Sequence, residues 1–291
     1  MNSRDTLKNE SDITLTDDDF EKFREYFYRK TGIMFDQSKR CFVDRRLIER
    51  IKATGHNSFK SYFIFLRFES SGKELQNLIN ALTVNETYFF REEYQFQCMV
   101  KRMLPEIISR KRSGDIIRIW SIPCSTGEEP YSIAIYLLEY WEDIDKWDVE
   151  IVASDIDTNA LEKAKKGVYS ERSVQNLPRE IVKKYFKYLG NRYYQICDDL
   201  RNSVEFVRLN IIDTKETKRY RGFDLVFCRN LLIYFDDLSR KIAVENLFDS
   251  MNPGGFICLG HSESMSRISP IFKIRKFPEA IVYQKPLEEV K

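Results

Sequence analysis

From residue 115 onward, short apolar runs alternate with helical stretches, and no other feature narrows the possible folds so far. "DIIRIWSIP" (115–123), "DVEIVASD" (148–155), "SVEFVRLN" (203–210), "FDLVFC" (223–228) and "GGFICLG" (254–260) have the length and texture of buried strands. Among them, "PYSIAIYLLEYWE" (130–142), "DTNALEKAKKG" (157–167) and "DDLSRKIAVENLFDSM" (236–251) read as helices. Such alternation predicts an α/β fold, a mostly parallel sheet covered on both faces. The closing "FKIRKFPEAIVYQK" (272–285) reads as two strands turning near Pro278, an antiparallel hairpin at the sheet's edge. One stretch breaks the rhythm. In 185–207, Gly-Asn and Asp-Asp turn signals separate Tyr-rich runs, which predicts a small inserted antiparallel ribbon.

Before residue 85 the texture is helical throughout. Residues 14–32 carry Phe20, Phe23 and Phe27 at helical spacing behind Thr16 and Asp17 as caps, and Gly32 as a stop. Residues 36–55, 58–70 and 72–84 read as three more helices, the first closed by Gly55. The expected organisation is a helical domain over 14–84 and a larger domain over 85–291, preceded by a polar tail of a dozen residues.

Charge and cysteine content exclude several classes of function. Lys and Arg (47) nearly balance Asp and Glu (45), so no nucleic-acid partner is expected. Six scattered cysteines without C-x-x-C spacing, and no secretory segment, read as reduced thiols in the cytoplasm. No apolar run is long enough to span a membrane. With two histidines and no ligand cluster, no metal is expected, and the G-x-S-x-G elbow of many hydrolases is absent.

In a doubly wound sheet, ligands bind beyond the carboxyl ends of the strands. Those ends carry Ser125-Thr126-Gly127-Glu128-Glu129, then Asp155, then Asn210, then Arg229, Asn230 and Tyr234. An acid ending the second strand stands where one carboxylate can grip both hydroxyls of a ribose. The first loop has one glycine and two acids instead of G-x-G-x-x-G, and those acids would repel a pyrophosphate. NAD and ATP are therefore disfavoured. A cationic nucleoside fits, S-adenosylmethionine above all, with Gly127 expected to allow close backbone approach.

The segments "NETYFFRE" (85–92), "CSTGEEPYSIAI" (124–135), "ASDID" (153–157), "FCRNLLIYFD" (227–236) and "GGFICLGHSES" (254–264), in this order, resemble the CheR family of chemotaxis receptor methyltransferases over roughly residues 14–285. The resemblance implies a class I S-adenosylmethionine methyltransferase: a Rossmann-like seven-stranded sheet, an N-terminal helical domain and a small inserted antiparallel β-subdomain. It implies methyl esterification of receptor glutamates, with S-adenosylhomocysteine as the product. The cofactor contacts it implies are Asn85, Thr87, Arg91, Glu129, Asp155, Asn210, Ile211, Arg229 and Asn230. Ile122-Pro123 departs from the smaller residues commoner in the family.

A glutamate substrate is ionised at neutral pH and needs no general base. Arg91 is the candidate to orient it through a planar guanidinium fork, and Tyr234 to line the transfer channel. His261 reads as structural. The stripe Lys39, Arg40, Arg45, Arg46, Arg50 and Lys52 on the helix at 36–55 is expected to dock the glutamate-rich helical bundle of a receptor, Arg40, Arg45, Arg46 and Arg50 above all. A monomer is expected, without membrane insertion. The alternatives are a methyltransferase of the same fold acting on a small acid, another protein or an RNA, and a non-catalytic cofactor-binding module.

Overall fold

The computed structural model of the chain describes residues 13–265 and 268–287. The polar tail at 1–12 lies outside the described residues. Two compact units are present, one comprising residues up to Lys30 together with Met34–Leu82, the other Thr31–Ile33 together with Thr83 onward.

The first unit holds helices α1 (Asp17–Thr31), α2 (Arg40–Ala53), α3 (Phe59–Phe68) and α4 (Lys73–Leu82). The cap of α1 is reciprocal, between Thr16 and Asp19 instead of Asp17: each backbone N–H donates to the other's side chain at 3.1 Å. Each helix buries one face at i, i+3 and i+4 spacing: Phe20, Phe23 and Phe27 on α1; Val43, Leu47 and Ile51 on α2; Phe59, Tyr62 and Leu66 on α3; Leu78, Ile79 and Leu82 on α4. Inside this apolar packing lies one ionic knot. Arg50 donates two hydrogen bonds to Glu74, at 3.0 and 2.5 Å, and the Tyr62 hydroxyl donates a third at 2.8 Å. Glu74 is 4% exposed, so these bonds are what make its burial tolerable.

The second unit opens with a helical run, α5 (Glu93–Cys98), a π turn (Met99–Met103) and α6 (Leu104–Ile108). There follow β1 (Ile117–Ser121), α7 (Glu128–Tyr140), β2 (Val149–Asp155), α8 (Thr158–Lys166), β3 (Val168–Ser170), α9 (Glu171–Val174) and α10 (Arg179–Tyr185). Next come β4 (Phe186–Gly190), β5 (Tyr193–Ile196), α11 (Asp198–Asn202), β6 (Val204–Arg208), α12 (Thr214–Thr217), β7 (Phe223–Cys228), α13 (Asp237–Ser250), β8 (Met251–Leu259), β9 (Lys273–Lys276) and β10 (Ile281–Gln284). The main sheet has seven strands in the order β6-β2-β1-β7-β8-β10-β9, parallel except for β10. Alternate residues enter opposite cores: Ile117, Ile119, Leu225 and Phe227 on one face, Trp120, Val226 and Cys228 on the other. Burial on both faces is what the continuous apolar strands required.

The inserted ribbon differs from its expected bounds. It is a three-stranded antiparallel sheet, β3-β5-β4, spanning 168–196 instead of 185–207. Gly190, Asn191 and Arg192 turn it at positive φ (88°, 49° and 63°). The Asp198-Asp199 pair begins α11 instead of a turn, and Val204 starts β6, which pairs in parallel with β2.

Candidate active site

The strand order reverses between β1 and β7, and the loops leaving β1, β2, β6 and β7 meet at their carboxyl ends. Asp155 closes β2 and is 4% exposed. The N–H groups of Ser125 and Asp157 each donate to one of its oxygens, at 2.8 and 2.9 Å. No cation neutralises it in these bonds. Burial pushes its carboxyl up to about 6, with backbone donors holding it down. Helix capping falls to Asp157, which accepts from Asn159 and Ala160 at the start of α8. Asn85 is exposed; its amide donates to Asp157 at 2.7 Å and its carbonyl oxygen accepts from Ser125 Oγ at 3.3 Å, so it spans the first two loops.

Gly127 has φ 95°, and a Cβ there would lie 2.8 Å from Ala164 Cβ and 3.0 Å from the Tyr169 hydroxyl. Its bareness serves the packing of the β1 loop on α8 and β3. The two acids that follow part company. Glu128 is 4% exposed and accepts from Ser173 at 2.7 Å and Thr126 at 2.6 Å, a structural tie. Glu129 accepts from Ser121 Oγ at 2.8 Å and from Arg229 at 3.0 Å. Burial pushes both carboxyls up, and Arg229 opposes this at Glu129.

Arg229 also donates to the Arg91 carbonyl at 2.6 Å and pairs with Glu92 at 3.3 Å, and its side chain is 3% exposed. The guanidinium is a buried tie between two acids, with Nε still lacking a partner among the described residues. Two acids facing one arginine leave this cluster with an excess of negative charge.

Phe89 and Phe90 are buried anchors. Phe89 packs edge-on to Tyr169 and Phe186, with ring centroids at 4.8 and 5.1 Å, and Phe90 edge-on to Tyr136 at 5.3 Å. Phe90 and Glu92 both hold left-handed backbone, φ 58° and 55°, strain that the anchors on either side sustain. Arg91 lies between them. Its guanidinium donates to the Glu86 carbonyl at 3.1 Å and sits 5.8 Å from the centre of the Tyr88 ring. No ion pair to Glu92 or Glu93 forms among the described residues; Glu92 is taken by Arg229. Tyr234 is 37% exposed. Burial pushes its phenol up, and the Arg91 cation offsets part of that rise, so the two side chains share one electrostatic neighbourhood.

Asn210 is buried; its backbone N–H donates to Glu216 at 2.9 Å and its side chain accepts from Ile212 N at 3.3 Å. Ile211 is buried and its carbonyl accepts from Asn246 at 2.7 Å. Asn230 has φ 58°, at the head of the turn that leads to Tyr234. Thr87 is half-buried. Glu263, which sequence reasoning passed over, accepts from three backbone N–H groups at this end of the sheet.

Two family models match the chain in succession, "CheR methyltransferase, all-alpha domain" over residues 18–83 and "CheR methyltransferase, SAM binding domain" over 85–281. The chain belongs to the CheR methyltransferase family. Chemotaxis protein methyltransferase 2 of Vibrio cholerae is 54% identical over 276 residues, covering 95% of this chain and 96% of the relative. The chemotaxis protein methyltransferases of Escherichia coli and Borreliella burgdorferi are each 34% identical; the first covers 90% of both chains, the second 87% of this chain and 90% of its own. The protein is thus an S-adenosylmethionine-dependent methyltransferase, and its site chemistry suits that cofactor. The Asp155 carboxylate is anchored by backbone donors and is an acceptor-only group when ionised, which suits the hydroxyls of a diol. The surplus acid around Arg229 suits a cation.

The basic face of α2 needs correction. Arg40 donates to Asp44 and Asp17, both at 2.7 Å, and lies over Phe20. Arg50 belongs to the Glu74 knot. Arg46 pairs with Glu49 at 2.9 Å. Asp17 and Glu74, contributed by α1 and α4, were invisible when α2 was read alone. Of the four arginines, Arg45 is the exposed one without such a pair among the described residues. No described helix is long and apolar enough to cross a membrane.

Proposed function

We propose that this methyltransferase esterifies glutamate side chains in the cytoplasmic helical bundle of chemotaxis receptors, acting as a cytoplasmic monomer in sensory adaptation. Its relatives bear the name chemotaxis protein methyltransferase. The observation that carries the reading is the convergence on one sheet end of a ribose-suited carboxylate, Asp155, an acid-rich cluster around Glu129, and Arg91 beside Tyr234.

S-adenosylmethionine, when bound, supplies a methyl group activated by a sulfonium. Asp155 would hold the ribose hydroxyls, Glu129 the cationic end, and Asn85, Thr87, Asn210, Ile211 and Asn230 the remaining edges. The contribution of Arg229 is indirect, through Glu129 and the backbone of Arg91. The guanidinium of Arg91 has five donors, of which the Glu86 carbonyl takes one. The others orient the substrate carboxylate in line with the methyl, while Tyr234 lines the approach. The cofactor would supply the methyl carbon and keep the electron pair of its carbon–sulfur bond, while Arg91 and Tyr234 hold the accepting oxygen in place. No proton need move, because the carboxylate is already ionised at neutral pH.

Purified protein incubated with S-adenosylmethionine and a receptor cytoplasmic fragment should place methyl groups on glutamates, removable by mild base. Modification that survives base, or none at all, would refute the proposal.

A further inference from the structure

The turn from Asn230 to Tyr234 carries two of the site residues, yet its own sequence does not explain its shape. Asn230 adopts φ 58°, left-handed backbone that asparagine tolerates better than most residues with a Cβ but that still needs outside support. The turn has few internal bonds: Tyr234 N–H donates to the Leu231 carbonyl at 3.1 Å and Phe235 N–H to Leu232 at 3.2 Å. The N–H groups of Asn230 and Leu232 point instead to a carboxylate from the loop after β8. Glu263 accepts from Asn230 and Gly260 on one oxygen, each at 2.8 Å, and from Leu232 on the other at 2.7 Å. Backbone N–H groups converging around a left-handed residue form an anion-binding nest. Here the anion is built into the chain. The fit is close on the far side too, for a Cβ on Gly260 would lie 2.9 Å from the Asn230 nitrogen and 2.9 Å from Glu263 Oε2.

We infer that Glu263 is a positioning residue for methyl transfer, filling the nest at 230–232 so that Asn230 and Tyr234 are held in register with the cofactor and the substrate carboxylate. It acts through backbone and touches no reacting atom. The inference rests on the proposed glutamate methylation and goes beyond it by naming what shapes the acceptor side. Both carboxylate oxygens are needed, because three donors converge on them. Glutamine would present an amide N–H₂ where one oxygen now accepts, and would oppose a backbone donor with another donor.

The test combines amide hydrogen exchange with steady-state kinetics on Glu263→Gln, and Gly260→Ala as a second route into the same node. In the wild type the amides of Asn230, Leu232 and Gly260 should be protected. In Glu263→Gln their protection should fall, while the rest of the sheet keeps its protection. The turnover number should drop about tenfold to a hundredfold, the loss expected of a misplacement on the order of 1 Å, with KM for the receptor fragment changed by less than about twofold. Gly260→Ala should show the same split, and Glu263→Asp should recover none of it, because the shorter chain cannot reach the nest. Loss of amide protection with an unchanged turnover number overturns the inference. So does wild-type protection of the three amides in Glu263→Gln. A wild-type protein that fails to methylate the fragment would overturn the underlying reaction as well, and is thereby distinguished from a failure confined to Glu263.

Discussion

In the helical domain the arginines of α2 are largely neutralised by carboxylates, Arg50 on Glu74 and Arg40 between Asp17 and Asp44. In the catalytic domain Asp155 is held by backbone N–H groups, and Arg91 by a carbonyl and an aromatic ring. The difference lies in what each mode of anchoring leaves behind. An ion pair orients both partners and cancels their charge. A dipole orients a charged group and leaves its formal charge available. Burial then raises the cost of that uncancelled charge, which is why the Asp155 carboxyl is pushed up. The strand ends therefore present uncancelled charge to a visitor, and most of α2 does not.

The contrast is broken most severely at Arg91. Arg91→Ala should fold normally and lose on the order of a hundredfold or more in turnover, the scale seen when one oriented donor to the reacting group is removed. Arg91→Lys should recover little, because it keeps charge without the planar fork. Labelled methyl transfer measures both, and near-wild-type turnover would remove Arg91 from the mechanism. Arg50→Ala should do the opposite. Removing it leaves Glu74 buried without its cation, a loss of about 3 kcal/mol in folding stability, read as a lower thermal midpoint. The activity per folded molecule should persist; a stable but inactive Arg50→Ala would return this residue to receptor recognition.

Asp155→Asn tests the other side. Losing a charged acceptor for the ribose should weaken S-adenosylhomocysteine by about 2 kcal/mol, roughly thirtyfold in Kd, with the fold intact. The smallest effect belongs to Arg45→Glu on exposed α2. Its KM for receptor fragment should rise only a few-fold, at low salt, since exposed charge pairs contribute up to about 1 kcal/mol and are screened. An equal effect at high salt would mean that charge is not what Arg45 contributes.

The sheet was legible in the sequence because its strands are buried on both faces and read as continuous apolar runs, bounded by loops with chemistry of their own. Asp155 was legible because it ends such a run. The ribbon was misplaced because β3 is only three residues, Val168–Ser170, too short for any alternation to register. The helical run of 93–108 was passed over because a π turn and Pro105 interrupt its period. Partners distant in sequence were hidden altogether. Nothing near Arg50 announces Glu74, and nothing in "GHSES" says that Glu263 reaches back to residues 230 and 232. The packing demand on Gly127 was hidden for the same reason, since Ala164 and Tyr169 come from later elements.

The central claim is that Asp155 offers an ionised carboxylate to the cofactor ribose, and calorimetric titration with S-adenosylhomocysteine across pH tests it most directly. Hydroxyls donate to the ionised form, so binding favours deprotonation. Affinity should therefore rise with pH through the region of about 6, where the buried carboxyl titrates, and level off above it. In Asp155→Asn the rise should vanish, leaving weak binding at every pH. Wild-type affinity that is flat through this range, or an Asp155→Asn protein that binds as tightly as wild type at neutral pH, would contradict the account.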